Sequence, residues 1–92
     1  MTSGLAYRVI VHGRVQGVYF RACTVEKGKA LSLAGWVRNR SDGTVESFFQ
    51  GNADDTAAML AWLRIGSPGA SVTRLDVRAA EPVAGLRDFV VA

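Results

Sequence analysis

A polar turn, Arg40-Ser41-Asp42-Gly43, lies near the middle of the chain between two runs of strand-forming residues, Trp36-Val37 and Thr44 to Gln50. Asp-Gly between two such runs is a strong local signal for a β-hairpin. What flanks the hairpin limits the fold further. On its N-terminal side, Ala22 to Leu33 carries Ala22, Val25, Ala30 and Leu33 at helical spacing, with Gly28 costing that helix about 1 kcal/mol relative to alanine. On its C-terminal side, Asn52 caps a second helix from Ala53 to about Ile65. There Asp54 and Asp55 complement the dipole in the first turn, Met59, Leu60 and Leu63 form an apolar stripe, and Gly66-Ser67-Pro68-Gly69 stops the helix. Outside both helices lie further strand patterns: Ala6 to His12 at one end, Val72 to Ala79 and a short Phe89 to Val91 at the other. Strand, helix, strand, strand, helix, strand is a split βαβ unit written twice. The expected class is α+β, a βαββαβ sandwich with an antiparallel sheet and both helices on one face.

At 92 residues the chain is expected to form a single domain, 1–92, with one small core. Its hydrophobic fraction of 49% and charged fraction of 21% are those of a globular protein rather than a disordered one. The formal charge of +3 comes mostly from arginine, but the nine arginines are scattered along the sequence. That dispersal argues against a nucleic-acid-binding element, which concentrates basic residues. The one cysteine, Cys23, has no partner for an internal disulfide and reads as a small packed residue. The sequence shows no signal peptide and no apolar run of membrane-spanning length, so the expectation is a cytoplasmic protein without a membrane partner.

Few residues are equipped for chemistry. One histidine and one cysteine provide no paired metal-ligand spacing, so neither a metal nor a cofactor is expected. His12 is the only imidazole available for acid–base work, and at the end of a strand it reads as structural. The serines lack a nucleophile context such as GxSxG. There remains the stretch from Gly13 to Arg21, where a glycine-rich loop leaves a strand and opens a helix. From the residues alone it is either a plain turn or a place where unpaired amides at a helix start surround an anion. Arg21, in the first turn of that helix, could fold over such an anion. Asn39, closing the second strand, could donate one hydrogen bond and accept another, or simply help form the turn.

The two stretches Gly13-Arg14-Val15-Gln16-Gly17-Val18-Tyr19-Phe20-Arg21 and Gly35-Trp36-Val37-Arg38-Asn39, followed by Gly43, Val45 and Gly51, closely resemble the two signature patterns of the acylphosphatases. The likeness extends through the second helix, Pro68-Gly69-Ala70 and the Phe89 strand, and so covers nearly the whole chain. It implies a ferredoxin-like sandwich and hydrolysis of acyl phosphates to carboxylate and inorganic phosphate. Carried over by position, it makes Val15, Gln16, Gly17, Val18, Tyr19 and Phe20 the phosphate cradle, Arg21 the phosphate-binding catalytic arginine, and Asn39 the residue that positions the attacking water. It further implies a metal-independent, monomeric enzyme whose site takes a phosphate or sulfate anion. Gly28 stands where alanine is common and Ser32 where glycine often follows the first helix, which puts that helix's stability in question rather than the activity.

Two other readings compete. An open sheet bearing Phe48 or Phe49 could stack bases as RNA-recognition domains do, but Thr44 to Gln50 lacks the aromatic-rich pattern of those domains. The same unit could also serve as one domain of a larger carbamoyl-transferring maturation enzyme, for whose other domains this chain is too short.

Overall fold

The structure is a computed structural model and describes residues 4–92. Five strands and two helices follow the expected order: β1 (Leu5–Arg14), α1 (Phe20–Ala30), β2 (Ala34–Asn39), β3 (Val45–Gly51), α2 (Ala53–Ile65), β4 (Ser71–Ala80) and β5 (Phe89–Val91). They form one sheet in the order β4-β1-β3-β2-β5. β1 lies antiparallel to both β3 and β4, and β2 antiparallel to β3, so the first four strands are antiparallel neighbours as expected. β5 departs from that pattern and runs parallel to β2. The reason is topological. β4 ends beside the start of β1, and the chain then crosses that end of the sheet to the far edge, where it enters β5 in the direction of β2.

Period-two alternation sorts the strand residues. Val9 and Val11 of β1, Val45 and Phe49 of β3, Val37 of β2 and Phe89 of β5 point to the helical side and are buried, together with Phe20, Met59 and Leu63 from the helices. Each of these larger side chains contributes about 1.5–3 kcal/mol by leaving water. α1 packs over β2 and β5, and α2 over β1, β3 and β4. Phe49 is therefore the core phenylalanine, while Phe48 lies on the open face, stacked on Trp36 at 6.3 Å and itself only 4% exposed. Ser47, on the buried side of β3, donates its Oγ–H to the Trp36 carbonyl at 2.8 Å.

α1 begins two residues earlier and ends three residues sooner than its apolar spacing indicates. Phe20 draws the start forward by burying its ring 5.7 Å from that of Trp62 on α2. The end is a left-handed cap at Ser32 (φ 58°), with Leu33 N–H donating to Gly28 O at 2.9 Å and Ser32 N–H to Lys29 O at 3.0 Å. Gly28 faces the core, where a Cβ would stand 2.3 Å from the ring of Phe89, so glycine is what lets α1 approach β5. No helix among the described residues is long and apolar enough to cross a membrane.

Candidate active site

β1 and β2 both run antiparallel to β3, so they are parallel to each other and deliver the chain to the same end of the sheet. That topology brings the loop after β1 and the last residue of β2 together. Between them lies a cleft of about 490 Å3, lined by Val15, Gly17, the first turn of α1 from Tyr19 to Ala22, Asn39 and Val91. Arg21 and Asn39 are both exposed there, and neither side chain makes an ion pair or hydrogen bond among the described residues.

The loop backbone is shaped for an anion. Positive φ at Gly17 (75°) and at Tyr19 (58°) alternates with ordinary φ at Val18, a pattern that turns successive amides into a concave surface. Tyr19 adopts the left-handed conformation although it has a Cβ, a local cost of the kind found at functional sites. It is the N-cap of α1 but makes no side-chain capping bond. The first helical hydrogen bond, Cys23 N–H to Tyr19 O at 3.0 Å, leaves the amides of Phe20, Arg21 and Ala22 without helical partners. Those donors, the positive end of the helix dipole and the Arg21 guanidinium meet at one cleft.

Other members of the loop hold it in place. The Gln16 side chain turns away, its Nε2 donating to the Arg40 carbonyl at 2.8 Å and the Thr44 carbonyl at 2.9 Å, which ties the loop to the β2–β3 hairpin. Val18 offers its carbonyl to Ser67 Oγ–H at 3.0 Å, so the segment after α2 braces the loop from the other side. Neither Gln16 nor Val18 lines the cleft. Phe20 is buried and anchors the start of the helix. The bracing by Ser67 and the wall supplied by Val91 leave no trace in local sequence spacing, since both depend on how distant segments dock.

His12 lies outside the cleft, on the open face of the sheet, with Nε2 2.8 Å from Asp76 Oδ2. The hydrogen bond from His12 holds the Asp76 carboxyl below its usual pKa, and the nearby Arg74 adds to the effect. Arg74 Nη2 lies 3.2 Å from the same Nε2, so the imidazole edge sits between the Asp76 carboxylate and the Arg74 guanidinium. Among the described residues no three His, Cys, Asp or Glu side chains gather into a possible metal site.

The profile of the acylphosphatase family matches residues 7–91 of this chain. The chain belongs to the acylphosphatase family. An acylphosphatase of Methylococcus capsulatus is 48% identical over 83 residues, 90% of each chain. Among solved structures, the acylphosphatase from Bacillus subtilis superposes with a TM-score of 0.91 at 38% identity, covering 96% of this chain and 98% of that one. The Coxiella burnetii acylphosphatase gives 0.90 at 36% identity, covering 97% and 93%. The fold is thus the ferredoxin-like α+β sandwich of acylphosphatases, and the protein is a hydrolase of acyl phosphates.

Proposed function

We propose that the cleft binds the phosphoryl group of an acyl phosphate through the loop amides and Arg21, and that Asn39 positions the water that attacks it. The observation that carries this reading is the convergence of two side chains without partners among the described residues, Arg21 on α1 and Asn39 at the end of β2, on the cleft that the start of α1 also lines. The guanidinium remains charged at any physiological pH and presents a planar fork to phosphoryl oxygens. Water held by Asn39 attacks phosphorus, the bond from phosphorus to the acyl oxygen breaks, and the carboxylate departs with that bond's electrons. A carboxylate leaves readily, so no general acid is required, and the proton of the attacking water passes to an oxygen of the bound phosphoryl group. The loose transition state of phosphoryl transfer asks mainly for positioning and for charge stabilisation, which is what these few groups offer.

The same reading makes turnover independent of metal, with inorganic phosphate or sulfate able to occupy the site. It assigns residues 1–92 to one acylphosphatase domain acting as a cytoplasmic monomer on small acyl phosphates, without a nucleic-acid or membrane partner. The match to whole acylphosphatase chains supports the domain assignment. The experiment that tests the roles pairs Arg21→Ala with Asn39→Ala in benzoyl phosphate hydrolysis and in competitive inhibition by inorganic phosphate. Arg21→Ala should lower turnover and weaken phosphate binding together. Asn39→Ala should lower kcat about a hundredfold while phosphate binding stays within about twofold. Arg21→Lys should remain poor, because a point charge does not reproduce the two-pronged contact. Near-normal turnover in folded Asn39→Ala, or parental phosphate binding in Arg21→Ala, would overturn the assignment.

A further inference from the structure

The arginines that are dispersed in sequence converge in space. On the open face of the sheet, away from the helices, register places Arg78 of β4 directly opposite Arg8 of β1, and Arg8 opposite Phe48 of β3, which in turn faces Trp36 of β2. The next row holds Asp76, Ile10, Glu46 and Arg38, and the row beyond begins with Arg74 and His12. With Arg40, this side carries five arginines against Glu46 and Asp76. Asp42, 4.0 Å from Arg40, brings this side to a net +2, most of the chain's formal +3.

Both carboxylates are already engaged. Glu46, 7% exposed, takes Arg8 Nη1 at 2.8 Å and Arg38 Nη2 at 2.7 Å, and Asp76 is shared by His12 and Arg74. Arg78 makes no ion pair or hydrogen bond among the described residues, and the Arg40 guanidinium is 4.0 Å from Asp42, beyond hydrogen-bond reach. Arg8 uses only Nη1, which leaves its other nitrogens without partners among the described residues. Like charges directly opposite on antiparallel strands repel, so the Arg8–Arg78 pair is a local fault that an anion between the two would turn into a bridge. Arg8, Arg40, Arg78 and His12, with Ile10 and Asp76, line one cleft of about 350 Å3, a volume suited to a small ligand.

We propose that this cleft is a second anion site, separate from the acyl phosphate cleft, for a small molecule carrying two or more linked phosphoryl groups. Four residues along a strand separate the Arg8–Arg78 rung from the rung of His12, about 13 Å. Linked phosphoryl groups reach further along such a cleft than a single phosphate, so long side chains leaning in from different rungs can each meet a phosphoryl group of the same ligand. A nucleic-acid strand suits the face less well. The guanidinium groups of Arg8 and Arg38 lie 5.4 and 5.6 Å from the Trp36 ring centroid, and Phe48 stacks against that ring, so a base would have to compete with these contacts to stack on the aromatic row.

The test is a residue-resolved NMR titration of the whole protein with tripolyphosphate at constant ionic strength. Saturable shifts are expected in amides of residues 8–12 and 74–78, as a set with its own affinity distinct from the amides of residues 15–22. Arg78→Ala should raise the dissociation constant of the first set at least about tenfold, the loss of one charge-assisted contact, while leaving the second set and benzoyl phosphate turnover unchanged. A thermal readout guards against misfolding. Tripolyphosphate should raise the Tm of the parent more than that of Arg78→Ala, whose own Tm without ligand should equal or exceed the parent's because the repulsion is gone. The proposal is overturned by shifts confined to residues 15–22, by linear unsaturable shifts, or by binding indifferent to Arg78→Ala. It is equally overturned if a ten-nucleotide single strand of DNA binds the face more tightly than tripolyphosphate and shifts Trp36.

Discussion

Gly28→Ala places two physical effects in opposition, and the geometry decides between them. Helix propensity favours the substitution by about 1 kcal/mol, and a buried methyl group adds about 0.8 kcal/mol. Against this, the new Cβ would stand 2.3, 2.5 and 2.8 Å from Cδ2, Cε2 and Cγ of Phe89, where carbon contacts settle at about 3.5–4.0 Å. The ring must therefore retreat by about 1 Å or more. It has little freedom to do so, because Phe89 is 1% exposed, opens β5 opposite Gly35, and is held by the neighbouring Gly35 N–H to Asp88 O bond of 2.8 Å. Forced overpacking costs about 1–3 kcal/mol, more where backbone must move, and here relief requires lifting α1 from β5. With that cost at the upper end of its range, the expected net result is a loss of about 1 kcal/mol, read as a fall in Tm of roughly 4–8 °C for a domain of this size. Urea and thermal unfolding followed by circular dichroism measure it. Because Arg21 on α1 and Val91 on β5 line the same cleft, turnover should fall as well. Adding Phe89→Leu to Gly28→Ala should recover part of the loss, giving a favourable coupling in the double-mutant cycle. A single Gly28→Ala variant more stable than the parent would refute the reasoning, since propensity would then outweigh the close approach.

Ser32→Gly should stabilise by about 1 kcal/mol, measured by urea unfolding, because Ser32 closes α1 in the left-handed conformation that glycine adopts without a Cβ penalty. Glu46 feels burial, which raises its pKa, but the hydrogen bonds and charges of Arg8 and Arg38 outweigh it and hold the carboxyl below its ordinary value of 4.5. Its contribution is thus fully present above that value and lost as pH falls through the lower folded pKa. Glu46→Gln should cost about 1.5–3 kcal/mol at pH 7, and the gap between variant and parent should narrow in unfolding curves taken below about pH 4. Gln16→Ala should free the loop from the hairpin and lower kcat/KM for benzoyl phosphate about tenfold or more, with Tm falling by only a few degrees. Dialysis against a chelator should leave turnover unchanged, and restoration of lost activity by magnesium or zinc would contradict the proposed mechanism.

Local chemistry makes most of the fold legible in the sequence. The Asp-Gly hairpin, the Asn52 cap and the glycine stop at Gly66 act through neighbouring residues, and α2 begins and ends where those signals place it. Asn52 Oδ1 accepts the Asp55 amide at 2.7 Å, a contact read directly from three-residue spacing. The Gly13–Arg21 and Gly35–Asn39 patterns likewise named the family and nominated Arg21 and Asn39, because each is a short run of consecutive residues. Where α1 starts was not legible, since Phe20 joins the helix to reach Trp62 on another helix. Nor was the direction of β5, which follows from the chain having to cross the end of the sheet.

The tertiary structure alone decided which residues share a surface. Arg21 and Asn39 meet because β1 and β2 run the same way with β3 between them, and no spacing along the chain encodes that. The roles of Gln16 and Ser67 as braces, and of Gly28 as a point of contact with Phe89, depend on segments that touch only after docking. Charge shows the difference most clearly. In sequence the arginines look evenly scattered, yet strand alternation puts every second residue on one side, and antiparallel register aligns Arg8 with Arg78 and Arg38 with Glu46. Propensity and capping act over a few residues and can be read in order, whereas electrostatic fields and clefts depend on distances in space, which only the assembled sheet sets.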